Sequence, residues 1–405
     1  MTRRIKTLLF SSLYPSSVRP GHGVFVETRL RELLSSGQVD TKVVSPVPWF
    51  FSTHPRFGPY ALMARTPKRE TYNGIDVLHP RYLLPPKIGM SIAPLSMALG
   101  AVPALRQLKR EGFDFDLIDA HYYYPDGVAA ALLGRWFGKP YVVTARGTDL
   151  NLIPQYTLPR TMIRWAAEHA DASIGVCKAL TDVLRGWGLP PEKLFVMRNG
   201  VDLTKFRPLS QTEMRAALRL DGCPLLLSVG YLVERKGHHI AVDALAALLP
   251  THPTAHLVIV GDGEERGNLR ARCRGLSLED HVTFAGALPN AELCRWYSAA
   301  DILVLASSRE GWANVLLESM ACGTPVVATS IWGTPEVVAD PVAGCLVEKR
   351  DGASFADSIR HLLAAYPDRQ KVRAYAEQFS WQSTTDAQLT LFGKMTEPLM
   401  SKRHA

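Results

Sequence analysis

Two glutamates in the second half of the chain have a spacing and apolar neighbours that suit the binding of a ligand. Glu310 and Glu318 stand eight residues apart in the stretch SSREGWANVLLESMACGTPVVAT, residues 307–329. Glu318 lies between Leu317 and Met320, and a carboxylate with such apolar neighbours needs hydrogen-bond partners once it is buried. The vicinal hydroxyls of a ribose would supply two donors, whereas a solvent-exposed glutamate is the usual alternative. Glu310 would then face the sugar end of the same nucleotide.

A bend and a helix start separate the two glutamates. The bend is Gly311-Trp312-Ala313, and the predicted helix Asn314–Ala321 follows it. The first N–H groups of a helix have no intrahelical partners, so they attract anionic oxygen. We therefore expect the backbone from Gly311 to Val315 to bind part of an anionic ligand.

A basic pair follows another predicted strand. Arg235 and Lys236 come after the strand Leu225–Val229 and before the helix Ile240–Leu249, with Gly237 directly behind them. Arginine offers a planar fork of donors and lysine a point charge, and both suit the oxygens of a diphosphate. An exposed charge pair at a surface turn explains the same spacing equally well.

Glycine-rich turns provide two further candidate sites. Gly21 and Gly23 lead from the first strand into a helix, where a bare backbone can approach an anion at the helix N-terminus. The run Gly261-Asp262-Gly263 lacks the GxGxxG spacing of dinucleotide-binding proteins. It predicts a tight turn beside a ligand and gives no support to NAD binding.

Short apolar runs alternate with helical patterns along the chain, which predicts parallel sheets with helices on both faces. The predicted strands of the first half are Ile5–Phe10, Thr41–Val44, Leu117–His121, Tyr141–Thr144, Ala172–Val176 and Leu194–Met197. Those of the second half are Leu225–Val229, His256–Val260, His281–Phe284, Asp301–Leu305 and Pro325–Ala328. The predicted helices are Val24–Leu34, Leu158–Ala170, Gln211–Leu220, Ile240–Leu249, Asn290–Ala299 and Asn314–Ala321.

This alternation, together with the length of 405 residues, predicts two doubly wound α/β domains. The seam between them is expected within Asp202–Cys223. Ligands of such sheets bind at the carboxyl ends of the strands, so two sheets that face each other would form a cleft between the domains. Residues 400–405 at the C-terminal end are expected to fray.

The positive charge of the chain is concentrated in its first half. Residues 1–205 hold 26 Lys and Arg against 16 Asp and Glu, and residues 206–405 hold 20 against 22. No RNP-like strand, basic helix or zinc finger accompanies this excess, so nucleic acid is not an expected partner. An anionic membrane surface or a phosphorylated acceptor fits it, and so does an ordinary solvated surface.

The charge-free stretch at residues 88–105, IGMSIAPLSMALGAVPAL, poses the question of a membrane span. Pro94 and Pro103 interrupt it, and prolines break helices. We therefore expect a buried helix, or one that lies flat on a bilayer, rather than a span. The apolar run Thr7–Phe10 is too short for a signal peptide, so no secretion is predicted. Six cysteines without a CxxC pair indicate neither a zinc site nor a disulfide framework, and they favour a reducing cytosol.

Together these motifs resemble the retaining nucleotide-sugar glycosyltransferases of family 4, also called glycosyl transferases group 1. The resemblance rests on the glutamate pair and on further motifs spread over about residues 5–395. They are Asn199-Gly200-Val201-Asp202 with Phe206 and Pro208, Arg235-Lys236-Gly237, Gly261-Asp262-Gly263, Ala321-Cys322-Gly323-Thr324-Pro325 and Phe379-Ser380-Trp381. More loosely, Pro20–Glu27 and Tyr124-Pro125-Asp126-Gly127 resemble exopolysaccharide and teichuronic-acid-type transferases.

The resemblance implies the GT-B fold, in which two Rossmann-like doubly wound domains face each other across a cleft. Residues 1–205 would form the acceptor-binding domain and residues 206–380 the domain that binds the nucleotide sugar. The C-terminal segment 381–405 would cross back onto the first domain.

The resemblance also implies a role for each candidate residue. Glu318 would bind the ribose, Arg235 and Lys236 the diphosphate, and Glu310 the donor sugar. The implied catalytic residues are Glu310, Arg235, Lys236 and Arg146. The implied donor-binding residues are Glu318, Gly311, Trp312, Ala313, Asn314, Val315, Gly21, Gly23 and Gly263. The implied acceptor-binding residues are His121 and Asp149.

The chain departs from the family pattern at two positions. Tyr231 stands where many members have an arginine, which leaves Arg235 as the one arginine expected at the diphosphate, beside Lys236. Arg146, in the run Thr144-Ala145-Arg146-Gly147-Thr148-Asp149, stands where many members have a histidine. An arginine cannot act as a base at neutral pH, but it can bind a phosphate on the acceptor or the donor.

As the family implies, the activity would be a hexosyl transfer with retention that needs no metal and no other cofactor. The expected partners are a UDP- or GDP-sugar donor, a glycan or lipid-linked acceptor of cell-surface polysaccharide synthesis, and an anionic membrane surface. The expected location is the cytoplasm, with a peripheral position on the inner membrane face for a lipid-linked acceptor.

Three other functions stay open at this point. A sugar-nucleotide epimerase of the same fold would act on the donor without an acceptor. A catalytically silent scaffold partner would need no charged site, and the presence of Glu310, Glu318, Arg235 and Lys236 argues against it. A NAD-dependent oxidoreductase would need the dinucleotide fingerprint that this chain lacks.

Overall fold

The computed structural model of the protein describes residues 3–85 and 88–401, with side chains described up to residue 397. It divides into two compact units. The first comprises the residues up to Met197 together with those from Gln382 onward, and the second comprises Arg198–Trp381. The predicted boundary, between residues 205 and 206, lies further along the chain. The expected fraying at 400–405 falls, beyond residue 401, outside the described residues.

The first unit is built on an eight-stranded sheet with the order β10-β9-β8-β7-β1-β2-β5-β4, accompanied by a two-stranded ribbon of β3 and β6. The strands are β1 Ile5–Phe10, β2 Val39–Val44, β3 Val47–Pro48, β4 Arg69–Tyr72, β5 Ile75–Leu78, β6 Arg81–Tyr82, β7 Leu117–His121, β8 Tyr141–Ala145, β9 Ala172–Gly175 and β10 Leu194–Val196. Except for β4 against β5, the pairs in the sheet are parallel. All six predicted strands of this half are confirmed, with small shifts at their ends.

Helices connect the parallel strands of the first unit. They are α1 Val24–Ser35, α2 Gly58–Ala64, α3 Gly89–Arg110, α4 Val128–Phe137, α5 Thr148–Asn151, α6 Thr157–His169 and α7 Lys178–Gly186. Short 3-10 turns lie at Pro55–Phe57, Ile153–Gln155 and Pro191–Lys193, and a π turn lies at Tyr123–Gly127. Strands β7 and β8 are buried at every position, as expected for strands covered by helices on both faces.

The antiparallel hairpin of β4 and β5 was not predicted from the sequence. Asn73 and Gly74 connect these strands with positive φ angles of 50° and 83°, and an Asn-Gly pair is the strongest sequence signal for such a two-residue turn. Strand β4 lies at the edge of the sheet and alternates exposed and partly buried residues. It therefore lacks the apolar run by which the other strands were predicted. The first sheet is therefore mixed rather than purely parallel.

The second unit contains one parallel six-stranded sheet with the order β13-β12-β11-β14-β15-β16. Its strands are β11 Leu225–Val229, β12 His256–Val260, β13 Val282–Gly286, β14 Ile302–Leu305, β15 Val326–Thr329 and β16 Gly344–Val347. Its helices are α8 Gln211–Leu218, α9 His238–Leu248, α10 Arg266–Gly275, α11 Leu293–Ala299, α12 Asn314–Ala321, α13 Thr334–Val337, α14 Gly352–Ala364 and α15 Arg369–Glu377. The 3-10 turns are Glu234–Lys236 and Glu279–His281. The five predicted strands are confirmed, and the short strand β16 was missed.

The long C-terminal helix α16, Trp381–Ser401, completes the core of the first unit. Its Leu391 and Phe392 are buried in one apolar cluster with Leu117, Val142 and Ile174 of three neighbouring strands. Burial of side chains of this size contributes about 1.5–3 kcal/mol each, so the helix is part of the core rather than an appendage.

Helix α3 runs without interruption through Pro94 and Pro103, so the expectation that these prolines break it is wrong. A proline has no N–H, so Pro94 leaves the carbonyl of Met90 without its intrahelical hydrogen bond. The hydroxyl of Tyr124 donates to that carbonyl instead. A tertiary contact thus replaces the bond that the proline removes. Within residues 3–85 and 88–401, no helix has both the length and the apolar character that crossing a bilayer requires.

This replacement predicts a coupling between Tyr124 and Pro94. Tyr124→Phe should lower the free energy of unfolding by about 1 kcal/mol, because the Met90 carbonyl loses its donor. In a Pro94→Ala background the new N–H restores the intrahelical bond, so Tyr124→Phe should lower it by less. Denaturant unfolding of the four proteins measures both values, and an equal loss in the two backgrounds would contradict the explanation.

Candidate functional site

The strand order of the second unit reverses between β11 and β14, and such a reversal opens a crevice at the carboxyl ends of the strands. Arg235 and Lys236 lie in the loop that follows β11. Glu310 lies in the loop that follows β14, and helix α12 begins at Asn314 directly after it. The structure therefore brings the basic pair and the glutamate pair of the sequence analysis to the same edge of one sheet.

The loops after β11 and β14 touch backbone to backbone, and a glycine makes this possible. Gly237 has a φ of 72°, and a Cβ added there would lie 1.9 Å from the carbonyl oxygen of Ala306. The N–H of Ser308 donates to the carbonyl of Arg235 at 2.8 Å. Arg350 donates from Nε to the carbonyl of Ala306 at 2.7 Å. These contacts fix the two loops relative to each other.

The loop after β12 packs onto the same junction. A Cβ on Gly261 would lie 1.8 Å from the carbonyl oxygen of Gly230, and one on Gly263 would lie 2.4 Å from that of Leu232. The N–H of Leu232 donates to the carbonyl of Asp262 at 3.0 Å. The predicted tight turn is thus present, and Gly263 lies against the loop after β11. Its predicted contact with the donor stays a prediction.

Lys236 and Glu310 form an ion pair across the junction. Lys236 Nζ lies 2.6 Å from Glu310 Oε1, and both side chains are largely buried. The hydroxyl of Ser307 donates to the same carboxylate oxygen at 2.7 Å. The lysine charge is therefore held at the end of β14 by a carboxylate that is itself anchored to its own loop.

Three donors around this pair have no partner within residues 3–85 and 88–401. Arg235 is partly buried, and its guanidinium makes no hydrogen bond or ion pair within the described residues. In the loop after β14, the buried Nε of Arg309 and the buried Nε1 of Trp312 also lack acceptors. Buried donors without partners are rare and expensive, so this loop is suited to a ligand that supplies acceptor oxygens.

Glu318 is partly buried in the middle of α12 and has an internal partner. The hydroxyl of Tyr297, a fully buried residue of α11, donates to Glu318 Oε2 at 2.9 Å. Burial raises the pKa of Glu318, and the hydrogen bonds of Tyr297 and Asn290 and the charge of Lys205 oppose this rise. The carboxylate does not project into bulk water. Its predicted contact with a ribose stays a prediction.

The two ends of α12 differ in the hydrogen-bond partners of their backbone groups. Its N-cap residue Ala313 has no side-chain hydrogen bond to the first turn, so the N–H groups at Asn314 and Val315 receive no cap there. At the other end, Arg373 donates to the carbonyl of Ala321 at 2.7 Å, and Arg369 donates to that of Cys322 at 3.3 Å. The negative end of the helix is neutralised, and the positive end is left for a ligand.

In the first unit the strand order reverses between β1 and β7, and a buried carboxylate links the loops that follow them. Asp126, fully buried in the π turn after β7, accepts hydrogen bonds from the N–H and the hydroxyl of Ser12. Burial raises the pKa of Asp126 to about 7, against the opposing hydrogen bonds of Ser12. In the sequence Asp126 stands out only as part of a motif, whereas in the structure it links the two loops.

The loop after β8 carries Arg146 and Asp149. Asp149 is fully buried and accepts from the N–H groups of Tyr123, Arg146 and Gly147 at 2.7–3.0 Å. It therefore holds the backbone of this loop and of the neighbouring one, and its predicted contact with an acceptor stays a prediction. Arg146 stacks on the ring of Phe25 at 5.4 Å and donates to Nδ1 of His121.

A chain of buried polar groups fixes His121 at the end of β7. Because Arg146 can only donate, Nδ1 of His121 accepts and its Nε2 carries the proton, which points to Asp119 Oδ2 at 3.3 Å. The amide of Gln388 on α16 donates to the same oxygen at 3.1 Å and accepts from the buried Arg29 at 3.0 Å. Burial, together with the charge of Arg146, lowers the pKa of His121 to about 4 against the opposing charge of Asp119. The imidazole is therefore neutral at physiological pH.

The glycines predicted at the first strand-to-helix turn differ from each other. Gly23 caps α1 with a φ of 71°, and a Cβ added to it would lie 2.4 Å from the carbonyl oxygen of Leu13. It is required by the close return of its own loop. Gly21 is exposed on that loop. Contact of either glycine with a donor stays a prediction.

Several supporting residues could not be identified from the sequence. Tyr297 holds Glu318, Ser307 holds Glu310, and Arg350 joins the loops after β11 and β14. Only Ser307 gave a local signal, since it lies three residues before Glu310. Among residues 3–85 and 88–401, no cluster of three or more His, Cys, Asp or Glu side chains is arranged to hold a metal ion.

Two family models match the chain. The model described as glycosyl transferases group 1 matches residues 210–379, and the model described as Glycosyltransferase Family 4 matches residues 62–205.

Curated relatives agree with these models. The chain is 32% identical over 338 residues to the D-inositol 3-phosphate glycosyltransferase of Acidothermus cellulolyticus, which covers 77% of this chain and 74% of the relative. It is 30% identical over 345 residues to the putative teichuronic acid biosynthesis glycosyltransferase TuaC of Bacillus subtilis, covering 81% and 82% of the two chains.

Solved structures with the same fold cover nearly the whole chain. The sucrose-phosphate synthase of Thermosynechococcus elongatus superimposes with a TM-score of 0.76 at 21% identity, over 97% of this chain and 99% of that one. Anabaena Alr3699/HepE, solved in complex with UDP, superimposes with a TM-score of 0.70 at 19% identity, over 98% and 100%. At these identities the likeness establishes the fold, which is the one predicted from the sequence.

The burial of Glu318 leads to a testable pH dependence. A carboxylate whose pKa is raised in the folded state makes folding less favourable as the pH rises from its ordinary pKa of 4.5 through the raised value. Glu318→Gln, which keeps an acceptor for Tyr297, should therefore be more stable than the natural protein at pH 8 in the absence of ligand. The difference should shrink as the pH falls and vanish below about 4.5. Thermal unfolding of both proteins across this range checks it, and a constant difference would refute the assignment to Glu318.

Proposed function

Because the chain has the GT-B fold and belongs to glycosyltransferase family 4, we propose that it transfers a hexose from a UDP- or GDP-sugar to a glycan or lipid-linked acceptor, with retention of configuration. The observation that carries the proposal is the junction of Arg235, Lys236 and Glu310 at the strand reversal of the second unit. We further propose a role in cell-surface polysaccharide synthesis. In support, one relative is named as a putative teichuronic acid biosynthesis enzyme.

The diphosphate of the donor is assigned to Arg235 and Lys236. Arg235 has no acidic partner within the described residues, so its full charge is available to a phosphate oxygen. Lys236 is already positioned by Glu310, which reduces the loss of side-chain entropy when a ligand binds. The uncapped start of α12 adds N–H donors to the same anion.

The ribose is assigned to Glu318 and the sugar to the loop around Glu310. A carboxylate has about four acceptor positions, so the bond from Tyr297 leaves Glu318 able to accept from two ribose hydroxyls. The unpartnered donors of Arg309 and Trp312 lie in the loop that holds Glu310. They suit the oxygens of a sugar or of its phosphate.

The chemistry proposed is displacement of the diphosphate by an acceptor hydroxyl on the same face of the sugar, with a phosphate oxygen taking the proton. Negative charge grows on the leaving diphosphate as its bond to the sugar breaks. Positive groups fixed near it each stabilise this charge by about 4 kcal/mol, taking an effective dielectric of about 20 and a separation of about 4 Å. Lys236, anchored before the reaction, needs no reorganisation at that moment. We propose that neither a metal nor another cofactor is required.

The acceptor is assigned to the first unit, around Arg146 and His121. Arg146 is fixed by its contacts with Phe25 and His121, and a guanidinium in a fixed orientation suits a phosphate or phosphodiester. One relative is named for a phosphorylated acceptor, inositol 3-phosphate. We propose a phosphorylated or lipid-linked glycan as the acceptor, and the cytoplasm as the location, with access to the inner membrane face.

The donor site can be tested by binding without catalysis. UDP or GDP at a hundred times its Kd should stabilise the natural protein by about 2.7 kcal/mol, whichever nucleotide is the right one. Lys236→Ala and Glu318→Ala should each remove most of this stabilisation, and both should strongly reduce transfer. Lys371→Ala, an exposed lysine of the same unit, serves as the matched control and should behave like the natural protein. Thermal unfolding with UDP, GDP and ADP measures the binding.

Two outcomes of that experiment would count against the proposal. Full nucleotide stabilisation and full transfer in both variants would show that the donor does not bind at this junction. Conversion of a sugar nucleotide to an isomer in the absence of any acceptor, followed by NMR, would indicate an epimerase instead.

The acceptor assignment predicts a different kinetic pattern for Arg146. Arg146→Ala should raise the acceptor KM or lower kcat by roughly ten- to a hundredfold, since a hydrogen bond to a charged group contributes about 1.5–3 kcal/mol. Arg146→Lys should recover part of the loss if the partner is a phosphate. Nucleotide stabilisation should stay unchanged in both. Kinetics equal to those of the natural protein would limit Arg146 to a structural role.

A further inference from the structure

Exposed apolar side chains are concentrated in one short part of the first unit. Of the nineteen large apolar or aromatic residues that are exposed within the described residues, eleven lie between positions 49 and 99. They are Trp49, Phe51, Tyr60, Leu62, Leu83, Leu84, Ile88, Met90, Ile92, Leu95 and Leu99. Single exposed apolar residues are ordinary, but a contiguous group of this size indicates an interaction surface.

The fold places these residues side by side. Strands β3 and β6 pair with each other, and the N–H of Trp49 extends the ribbon by donating to the carbonyl of Tyr82 at 2.7 Å. The N–H of Leu83 donates to the hydroxyl of Ser96 on α3 at 2.7 Å. Because the two strands are parallel, the aromatic segment 49–62 and the segment that leads into α3 leave the ribbon at the same end. We call residues 49–65 together with 83–85 and 88–110 the docking surface.

Helix α3 has one exposed and one buried face, and the exposed face changes from apolar to basic along the helix. Its exposed positions begin with Ile88, Ile92, Leu95 and Leu99 in the N-terminal half. The same exposed face continues into Arg106 and Arg110 in the C-terminal half. The opposite face, including Met97 and Leu105, is fully buried in the first unit. The helix therefore presents apolar side chains first and positive charge behind them.

The charge of the docking surface has one sign. Residues 46–69 and 80–110 contain no aspartate or glutamate. Arg69 and Lys109 are bound by acidic residues from outside these ranges. Within the docking surface, Arg56, Arg65, Arg106 and Arg110 have no acidic partner among the described residues. Apolar and aromatic groups with a purely basic surround match a bilayer interface that contains anionic lipids.

We propose that the docking surface binds the anionic leaflet of a lipid bilayer, with the N-terminal half of α3 and the aromatic segment at the level of the headgroups. The helix would lie in the plane of the interface, because it is not long and apolar enough to cross the bilayer. A protein partner would also cover an apolar centre with a charged rim. The row of apolar residues on α3 followed by arginines is, in addition, the pattern of a helix that lies in an anionic interface.

The docking surface is connected to the loop assigned to the acceptor. The hydroxyl of Tyr124 bonds the carbonyl of Met90 at the start of α3, and Tyr124 belongs to the π turn that carries Asp126. A bilayer bound to α3 would thus lie against the element that joins the loops after β7 and β1. The consequence that a lipid-linked acceptor is delivered here rests on the proposed function, whereas binding to lipid does not.

Vesicle flotation of the purified full chain tests the inference without donor or acceptor. The protein should float with phosphatidylcholine vesicles that contain about 30% phosphatidylglycerol and should bind pure phosphatidylcholine much less. Binding should weaken as salt is raised, because the basic groups contribute to it. Nucleotide stabilisation, measured in parallel on the same samples, reports on the donor site independently.

Two variants and a matched control locate the binding surface. Leu95→Ser combined with Leu99→Ser should reduce partition to anionic vesicles at least about tenfold, since about half of each side chain is exposed to the proposed bilayer. Arg106→Gln combined with Arg110→Gln should reduce both the binding and its dependence on salt. Leu158→Ser removes a leucine of similar exposure on α6, 46% against 50% for Leu95, and should bind like the natural protein.

Each remaining outcome would overturn the proposal. Failure of the natural protein to bind anionic vesicles would do so directly, and so would equal loss in the α3 and α6 variants. A dimer in solution that the Leu95 and Leu99 changes convert to a monomer would assign the surface to a second copy of the chain. Unchanged circular dichroism and unchanged nucleotide stabilisation in the variants exclude unfolding as the cause of lost binding.

Discussion

The ion pair between Lys236 and Glu310 joins the two loops on which the site of the second unit depends. The pair forms only because the backbone of Gly237 lies against the carbonyl of Ala306, a position that any side chain would block. The strand order that brings these loops together also aims the start of α12 at the same place. Sheet topology, a glycine and a charge pair are therefore one arrangement rather than three separate features.

Much of this arrangement could be predicted from the sequence. The parallel strands are apolar runs, and their alternation with helices indicates two doubly wound sheets, which the structure confirms. Loops after strands were expected to carry the ligand groups, and Lys236, Glu310 and the start of α12 do lie together at the end of such strands. Local patterns were sufficient here because each residue follows its own strand directly.

What could not be predicted depends on contacts between distant parts of the chain. Tyr297 reaches Glu318 from another helix, and Gln388 reaches Asp119 from the far end of the sequence. Helix α3 continues through Pro94 only because a hydroxyl from a different element satisfies its carbonyl. The local pattern of apolar and polar residues does not indicate such contacts. The hairpin of β4 and β5 is a different case, since its Asn-Gly turn was visible but its polar strands were not recognised.

The second unit is inserted into the first, and this has a consequence for synthesis of the chain. Residues 200 and 381, at its two ends, lie in backbone contact, so a nascent second unit can close on itself. The first unit needs Leu391 and Phe392 for its core and Gln388 between Arg29 and Asp119. It must wait for them after residue 197 has been made, which at roughly 5–20 residues per second takes about 10 to 40 s. During that interval a ribosome-bound chain carries all the strands of the first sheet without the helix that completes their core, so the second unit can complete its fold before the first.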